Sequence, residues 1–265
     1  MPSIIIPIMQ QKQVAQAISK GKRLDGRGLT DYREVQLETG IVSSAEGSAR
    51  VHLGKTDVLV GIKIERGQPF SDTPDKGVLT VNAELSPLAS SMFEPGPPGV
   101  QAIELARVVD RGIRESEAIA VEKLCVIPGK KVFVVFIDIY VLNYDGNLID
   151  ASAMAALAAL LNTKMFKYEL KDGEIEIKPG YTKLPVKDHP IAVTIAKIND
   201  ILIVDPALDE EQVMDARLTM TLGKDGRVCA IQKGGSGHFT AQQILEAAKI
   251  VQEKSGEIRK LLVKD

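Results

Sequence analysis

Three features of the sequence predict an α+β fold. Two successive runs of strand-like alternation each lead into helical spacing. The segment Ala151 to Asn162 is alanine-rich and nearly free of charge, so it reads as a central helix buried on several sides. A charged, turn-rich stretch, Lys171 to Asp188, divides the two runs.

The chain opens on an apolar start, Ile4 to Ile8, and Val14 to Ile18 then carry helical spacing that ends near Gly21, which predicts a short helix. After Arg23-Leu24-Asp25-Gly26-Arg27, with its Asp-Gly turn, the apolar period becomes two. Glu34 to Leu37, Ser48 to Leu53, Thr56 to Ile64 and Val78 to Leu85 read as strands, together a β-meander. A polar loop with Pro69 and Pro74 lies between Gln68 and Gly77, and Glu94-Pro95-Gly96-Pro97-Pro98-Gly99 is a rigid break. Helical spacing resumes from Val100 to about Glu117, a strand runs from Lys131 to Leu142 after the Pro128-Gly129 turn, and Asp150 is placed to cap the alanine-rich helix. In the second half Pro190 to Ile198, Ile201 to Asp205, Ala216 to Leu222 and Val228 to Gln232 read as strands, and Ala241 to Leu262 as a closing helix. The expected organisation is an N-terminal helical extension over 1–22, a first domain over 23–170 and a second over 171–265.

With 265 residues, 45% hydrophobic and 26% charged, the chain has the composition of an ordinary soluble globular protein. Its 33 basic and 35 acidic side chains nearly cancel, so any contact with a polyanion must be local. Cys125 and Cys229 form no CxxC pair and read as buried free thiols. No apolar stretch approaches the length of a membrane span and no leader pattern opens the chain, which predicts a cytoplasmic protein without membrane contact. His52, His189 and His238 show no metal-ligand spacing. Gly234-Gly235-Ser236-Gly237-His238 lacks the lysine and hydroxyl residue of a phosphate-binding P-loop and reads as a flexible connection into the last helix.

Four motifs occur in the order used by RNase PH-like proteins: Arg23-Leu24-Asp25-Gly26-Arg27; Gly47-Ser48-Ala49 followed by Gly54-Lys55-Thr56; Ile103-Glu104-Leu105-Ala106-Arg107; and Asp145-Gly146-Asn147. The chain therefore resembles the RNase PH family over nearly its whole length. Within that family, Phe93 to Pro98 and Glu104 to Arg111 look like the archaeal exosome subunit that lacks its own catalytic centre. The resemblance implies duplicated β-α units, mixed sheets with buried central helices, and pairing with a catalytic sister subunit, three pairs closing a hexameric ring around a channel. It also implies RNA-binding cap proteins, single-stranded RNA as ligand, and phosphate and a divalent metal bound in the catalytic partner rather than in this chain.

Phosphorolysis needs an anion site for phosphate and positioned carboxylates. Active relatives carry Asp-Gly-Gly-Thr-Arg or a near variant where this chain reads Asp145-Gly146-Asn147-Leu148-Ile149-Asp150. Leu148 and Ile149 thus replace a hydroxyl and a guanidinium, and Asp150 sets a negative charge at a helix start that would otherwise attract an anion. Against this, Asp209 and Asp215 keep the six-residue spacing of the active acid pair, which could hold a divalent ion if the fold brings them together; alternatively Asp209, Glu210 and Glu211 form a solvated acidic turn. In the loop Glu65 to Gly77, where active subunits carry RNA-holding arginines, only Arg66 is present.

The sequence therefore predicts a catalytically silent chain with no catalytic, cofactor or metal residues. Arg107, Arg111 and Arg114, spaced by four and three, form a basic stripe on one helix face. The resemblance assigns such arginines to RNA phosphates, while Glu104, Asp110 and Glu115 stand close enough in sequence to neutralise them. Two other readings stay open: a phosphate-dependent exoribonuclease in its own right, using Asp209 and Asp215, or a small-molecule phosphate-transfer enzyme that shares only the fold.

Overall fold

The computed structural model describes residues 8–171 and 173–263; Ile4 to Pro7 of the apolar start and Asp172 of the Asp172-Gly173 turn lie outside the described residues. The expected α+β class holds. Helix α1 (Ile8–Ser19) is followed by strands β1 (Val35–Thr39), β2 (Gly47–Leu53), β3 (Thr56–Gly67) and β4 (Val78–Leu85), then by α2 (Val100–Glu115). A short β5 (Cys125–Ile127) and the long β6 (Lys131–Asn143) lead into α3 (Leu148–Asn162). Next come β7 (Lys164–Lys171), β8 (Glu174–Lys183), β9 (Ile191–Ile198), β10 (Ile201–Val204), the single-turn α4 (Leu208–Glu211), β11 (Ala216–Leu222), β12 (Val228–Gly234) and α5 (Ala241–Leu262).

The first sheet has the order β1-β2-β3-β6-β4, with β5 on the end of β6. The expected meander is corrected at one place: β4 pairs with β6, in parallel, and β6 separates it from β3. The reason lies in β6 itself. Its thirteen residues are rich in Val, Ile and Phe, and a long apolar strand satisfies its backbone best with a neighbour on each edge. The second sheet, β10-β9-β11-β12, is wholly antiparallel.

Helix α3 fills the space between the sheets. Ala151, Ala155, Leu157 and Leu160 are buried in a core that also takes Val51 and Val60 from the first sheet and Val193 and Ile195 from the second. Small side chains let both sheets approach the helix, which explains why its sequence shows no polar face. All eight residues of β9 are buried, because helices cover the second sheet on both faces. On the outer side α1 inserts Val14 and Ile18 against Ala196, Ile198 and Ile203, so the N-terminal helix is packed on the second sheet.

Two segments differ from their sequence reading. The turn-rich stretch beginning at Lys171 is largely strand: β7 and β8 form an antiparallel hairpin that crosses residue 171. Their outward alternation of Lys and Glu is a solvated face rather than a loop signal. The glycine run before α5 is no loose connection. Gly235 takes a left-handed φ of 81°, and a side chain on Gly237 would meet the Asp215 carbonyl oxygen at 2.7 Å. Both cysteines are free, but half-buried rather than buried.

Candidate functional site

The start of α3, the turn after β10 and the segment 23–33 converge on one buried polar cluster. Asp205, fully buried in a left-handed conformation, is its hub. Arg33 grips it with Nε to Oδ2 at 2.9 Å and Nη2 to Oδ1 at 2.7 Å, and Arg27 adds Nη1 to Oδ2 at 2.9 Å. Burial would push the Asp205 carboxyl up, but the hydrogen bonds and charge of Arg33 outweigh it and hold the group below the usual carboxylate range. Arg23, with no exposed side-chain surface, pairs with Glu210 through two nitrogens and donates to the carbonyls of Val204 and Asp205 at 2.7 Å each. The motif Arg23 to Arg27 is thereby given a role: it clamps the segment leading into the first sheet onto the second.

The same cluster decides the chemistry at the start of α3. The helix begins at Leu148 with Asn147 as N-cap in a left-handed conformation, so Asp150 is not the cap expected from the sequence but the third residue of the first turn. Its carboxylate faces the interior, accepting from Tyr32 Oη at 2.7 Å, Asn147 Nδ2 at 2.8 Å, and Thr194 through N at 2.9 Å and Oγ1 at 2.7 Å. Burial pushes its pKa up to about 6, and these four hydrogen bonds limit the rise. Gly146 holds a φ of 87° against the backbone of Ala207 and Leu208, where a Cβ would come within 2.6 Å.

Glu211 was expected in a solvated acidic turn. It instead reaches the helix start, its carboxylate accepting from the Asn147 amide at 2.8 Å and from Tyr144 Oη at 2.6 Å. Burial raises its pKa, with Tyr144 and Asn147 opposing the shift. Glu210 is buried on Arg23, so the acidic turn is turned inward because arginines of the first segment wait there. A cavity of about 120 Å³ opens beside these groups, lined by Glu104, Tyr144, Asn147, Ile149, Glu211 and Arg217. Phe93 stacks on Tyr144 at 5.3 Å and closes one side. One backbone amide at this helix start, that of the N-cap Asn147, is already engaged by the chain's own carboxylate, which also sets a negative charge beside the helix end.

Asp209 and Asp215 turn to different backbone groups. Asp209 Oδ1 accepts from the Glu210 amide and Asp215 Oδ2 from the Asn199 amide, each at 3.0 Å. Among the described residues no three His, Cys, Asp or Glu side chains converge as a metal site.

On α2 the arginine stripe is present, with its members in three different states. Arg107 is exposed and makes no ion pair with the described residues. Arg111 is half-buried and donates to Gln232 Oε1 on β12 at 2.9 Å. Arg114 is held by Asp110, with Nη2 to Oδ1 at 2.6 Å, and by the Leu79 carbonyl. Glu104, a possible neutraliser of Arg107, pairs instead with Arg217 at 2.6 Å. Arg66 lies exposed at the end of β3, beside Lys130, Lys131 and Glu174.

Sequence reasoning missed Arg33, Asp205, Glu211 and Arg217 as site residues. The signal available was weak: Asp205-Pro206 follows an apolar strand, and a carboxylate there reads as a strand end unless its partner 172 positions earlier is known.

Comparison with known proteins agrees with this geometry. Residues 31–165 match the model of the 3' exoribonuclease family, domain 1, and residues 188–254 that of domain 2. The exosome complex component Rrp42 of Thermococcus kodakarensis is 51% identical over 262 residues, covering 98% of this chain and 96% of that protein. The protein of the same name from Methanothermobacter thermautotrophicus is 45% identical over 98% of this chain and 96% of its own length. Among solved structures, a chain of the Archaeoglobus fulgidus exosome with RNA bound to the active site superposes with a TM-score of 0.90 at 43% identity, covering 97% of this chain and 98% of that one. A chain of an archaeal exosome core gives 0.87 at 40% identity, with 99% of each chain covered.

Proposed function

The chain belongs to the 3' exoribonuclease (RNase PH) family, and from that premise we propose that it is a non-catalytic subunit of an archaeal exosome, inactive alone and working with a catalytic sister subunit. One observation carries the inactivity: Glu211 occupies the Asn147 amide at the start of α3. A phosphate entering the adjoining cavity would meet the Glu211 and Glu104 carboxylates, and no hydroxyl or guanidinium stands at positions 148 and 149 to hold it. The one guanidinium in the cavity, Arg217, is already matched by Glu104.

In this reading the chain's contribution is on α2. Arg107 is a permanently charged fork on a rigid helix with no ion pair to a described residue, and Arg111 lies one turn away, donating to Gln232 through Nη1. They hold RNA phosphates next to the partner's catalytic centre, with Arg114 in a lesser part because Asp110 already binds it. Phosphate and a divalent metal act in the partner. Leu88, Val100 and Ile103 are exposed next to the proline-rich break and suit a covering subunit. The pairs assemble three to a hexameric ring bearing RNA-binding cap proteins, in the cytoplasm.

The test is release of nucleoside diphosphates from labelled single-stranded RNA with phosphate and magnesium. Silence of this chain alone and activity with the sister subunit support the composite site. Activity alone overturns it and returns Asp209 and Asp215 to consideration as a catalytic pair.

A further inference from the structure

Hairpin β7–β8 carries a surface that neither the fold nor the α2 site explains. Its inner face is anchored: Tyr168 meets Phe133 edge-on at 5.0 Å, and Met165 and Ile175 are buried. Phe166 and Tyr181, by contrast, are directly opposed across the two strands, with rings 5.0 Å apart, and remain 42% and 58% exposed.

The pairs on either side of these rings sharpen the anomaly. Lys164 faces Lys183, and Lys167 faces Lys178. Like charges opposed across an antiparallel pair destabilise it; Lys164 and Lys183 stand two residues from the rings on the same face, and Lys167 and Lys178 follow across a register shift. Of these lysines Lys178 has acidic partners, Glu169 at 3.0 Å and Glu176 at 3.8 Å; Lys164, Lys167 and Lys183 make no ion pair with the described residues. Lys123 joins Lys167 and Lys183 along an open groove of about 470 Å³ beside Phe166. Glu169 also lines this groove but pairs with Lys178, which leaves Lys123, Lys167 and Lys183 there without an ion pair to a described residue.

We infer that this hairpin is a second binding surface for single-stranded RNA, stacking bases on Phe166 and Tyr181 while Lys164, Lys167, Lys183 and Lys123 meet the phosphates. The inference rests on the reading of the chain as part of an RNA-degrading assembly, and concerns a surface separate from the α2 arginines. Flat aromatic platforms flanked by cations are what sequence-tolerant strand binding requires. A protein partner fits less well, since lysine is depleted from the buried parts of protein interfaces.

The experiment measures the affinity of the full-length chain for a fluorescent single-stranded oligoadenylate across a salt series, with far-UV circular dichroism as a check on folding. Phe166→Ala with Tyr181→Ala is expected to weaken binding about tenfold and leave the salt dependence unchanged. Lys164→Glu with Lys183→Glu is expected to weaken binding and flatten the logarithmic salt slope by about 1.4, the share of two single-strand phosphate contacts. Phe166→Tyr with Tyr181→Phe, which keeps both rings, is expected to bind as the wild type does. Wild-type affinity and slope in both disruptive variants overturn the proposal, as does equal competition by polyglutamate, which would point to an acidic protein. Arg107→Glu with Arg111→Glu separates the two readings: if RNA binding is lost there and untouched in the hairpin variants, the hairpin proposal falls and the α2 assignment stands. Dependence on the hairpin alone gives the reverse.

Discussion

Two sets of arginines in this chain have opposite fates. Arg23, Arg27 and Arg33 are sunk beneath the start of α3 and matched by Asp205 and Glu210, whereas Arg107 stands in solvent on α2 with no ion pair to a described residue. The first set ties two sheets together and spends its charge on carboxylates of the chain itself. The second contributes little to folding, and its charge remains available to a polyanion. Charge at an interface between halves is structural when it is matched within the chain and functional when it is not.

The largest effect should come from breaking the first set. Asp205→Ala leaves Arg33 and Arg27 without their shared carboxylate, and removing one partner of a buried pair costs about 3–5 kcal/mol. Urea denaturation should show that loss, whereas Arg107→Ala should stay within about 0.5 kcal/mol of the wild type. Equal stability of the two variants would erase the distinction.

Asp150 gives the next effect. Its carboxyl titrates at about 6 in the folded chain against an ordinary value of 3.8, so the folded state binds its proton more tightly than the unfolded one. The sign follows: the stability this group confers is complete below about pH 4 and is lost as pH rises through about 6, a change on the order of 3 kcal/mol. Asp150→Asn keeps one oxygen for Tyr32, Asn147 and the Thr194 amide, and Thr194 Oγ1 can turn to accept from the new amide. The variant should therefore gain on the wild type between pH 4 and 6 in denaturation midpoints. A constant difference would show that Asp150 does not titrate there.

Arg107→Glu with Arg111→Glu should lower RNA affinity of the assembled complex about tenfold and slow degradation, with native mass unchanged. Unaltered affinity would sink the assignment of these arginines. The smallest effect concerns Arg114. Asp110→Asn releases it from its intrahelical pair at a stability cost of about 0.5 kcal/mol or less, and RNA affinity should rise slightly; a fall would mean that Asp110 positions the stripe instead of masking it.

The fold was largely legible because its strands and helices follow clean periods; α5 runs over the residues its spacing predicts, Ala241–Leu262. The order of strands was not. Nothing local in Val78 to Leu85 reveals that β6, some fifty residues later, will displace β3 as its neighbour. The site divides the same way. Arg107, Arg111 and Arg114 share a helix face by spacing alone, but Gln232, the partner of Arg111, and Leu79 and Asp110, the partners of Arg114, lie on three elements, and only Asp110 was foreseeable. Glu211 was misread because acidic runs are usually solvated, and its partner amide is 64 residues away.

Helix α3 is a shared element, since one side chain set packs against both sheets. Neither half can then close its core while the other is open, because unfolding the second sheet would expose an alanine-rich surface with no polar face. Two domains recognisable by pattern should therefore melt in a single cooperative transition, with Leu157→Ala lowering the stability of both together by about 2–5 kcal/mol.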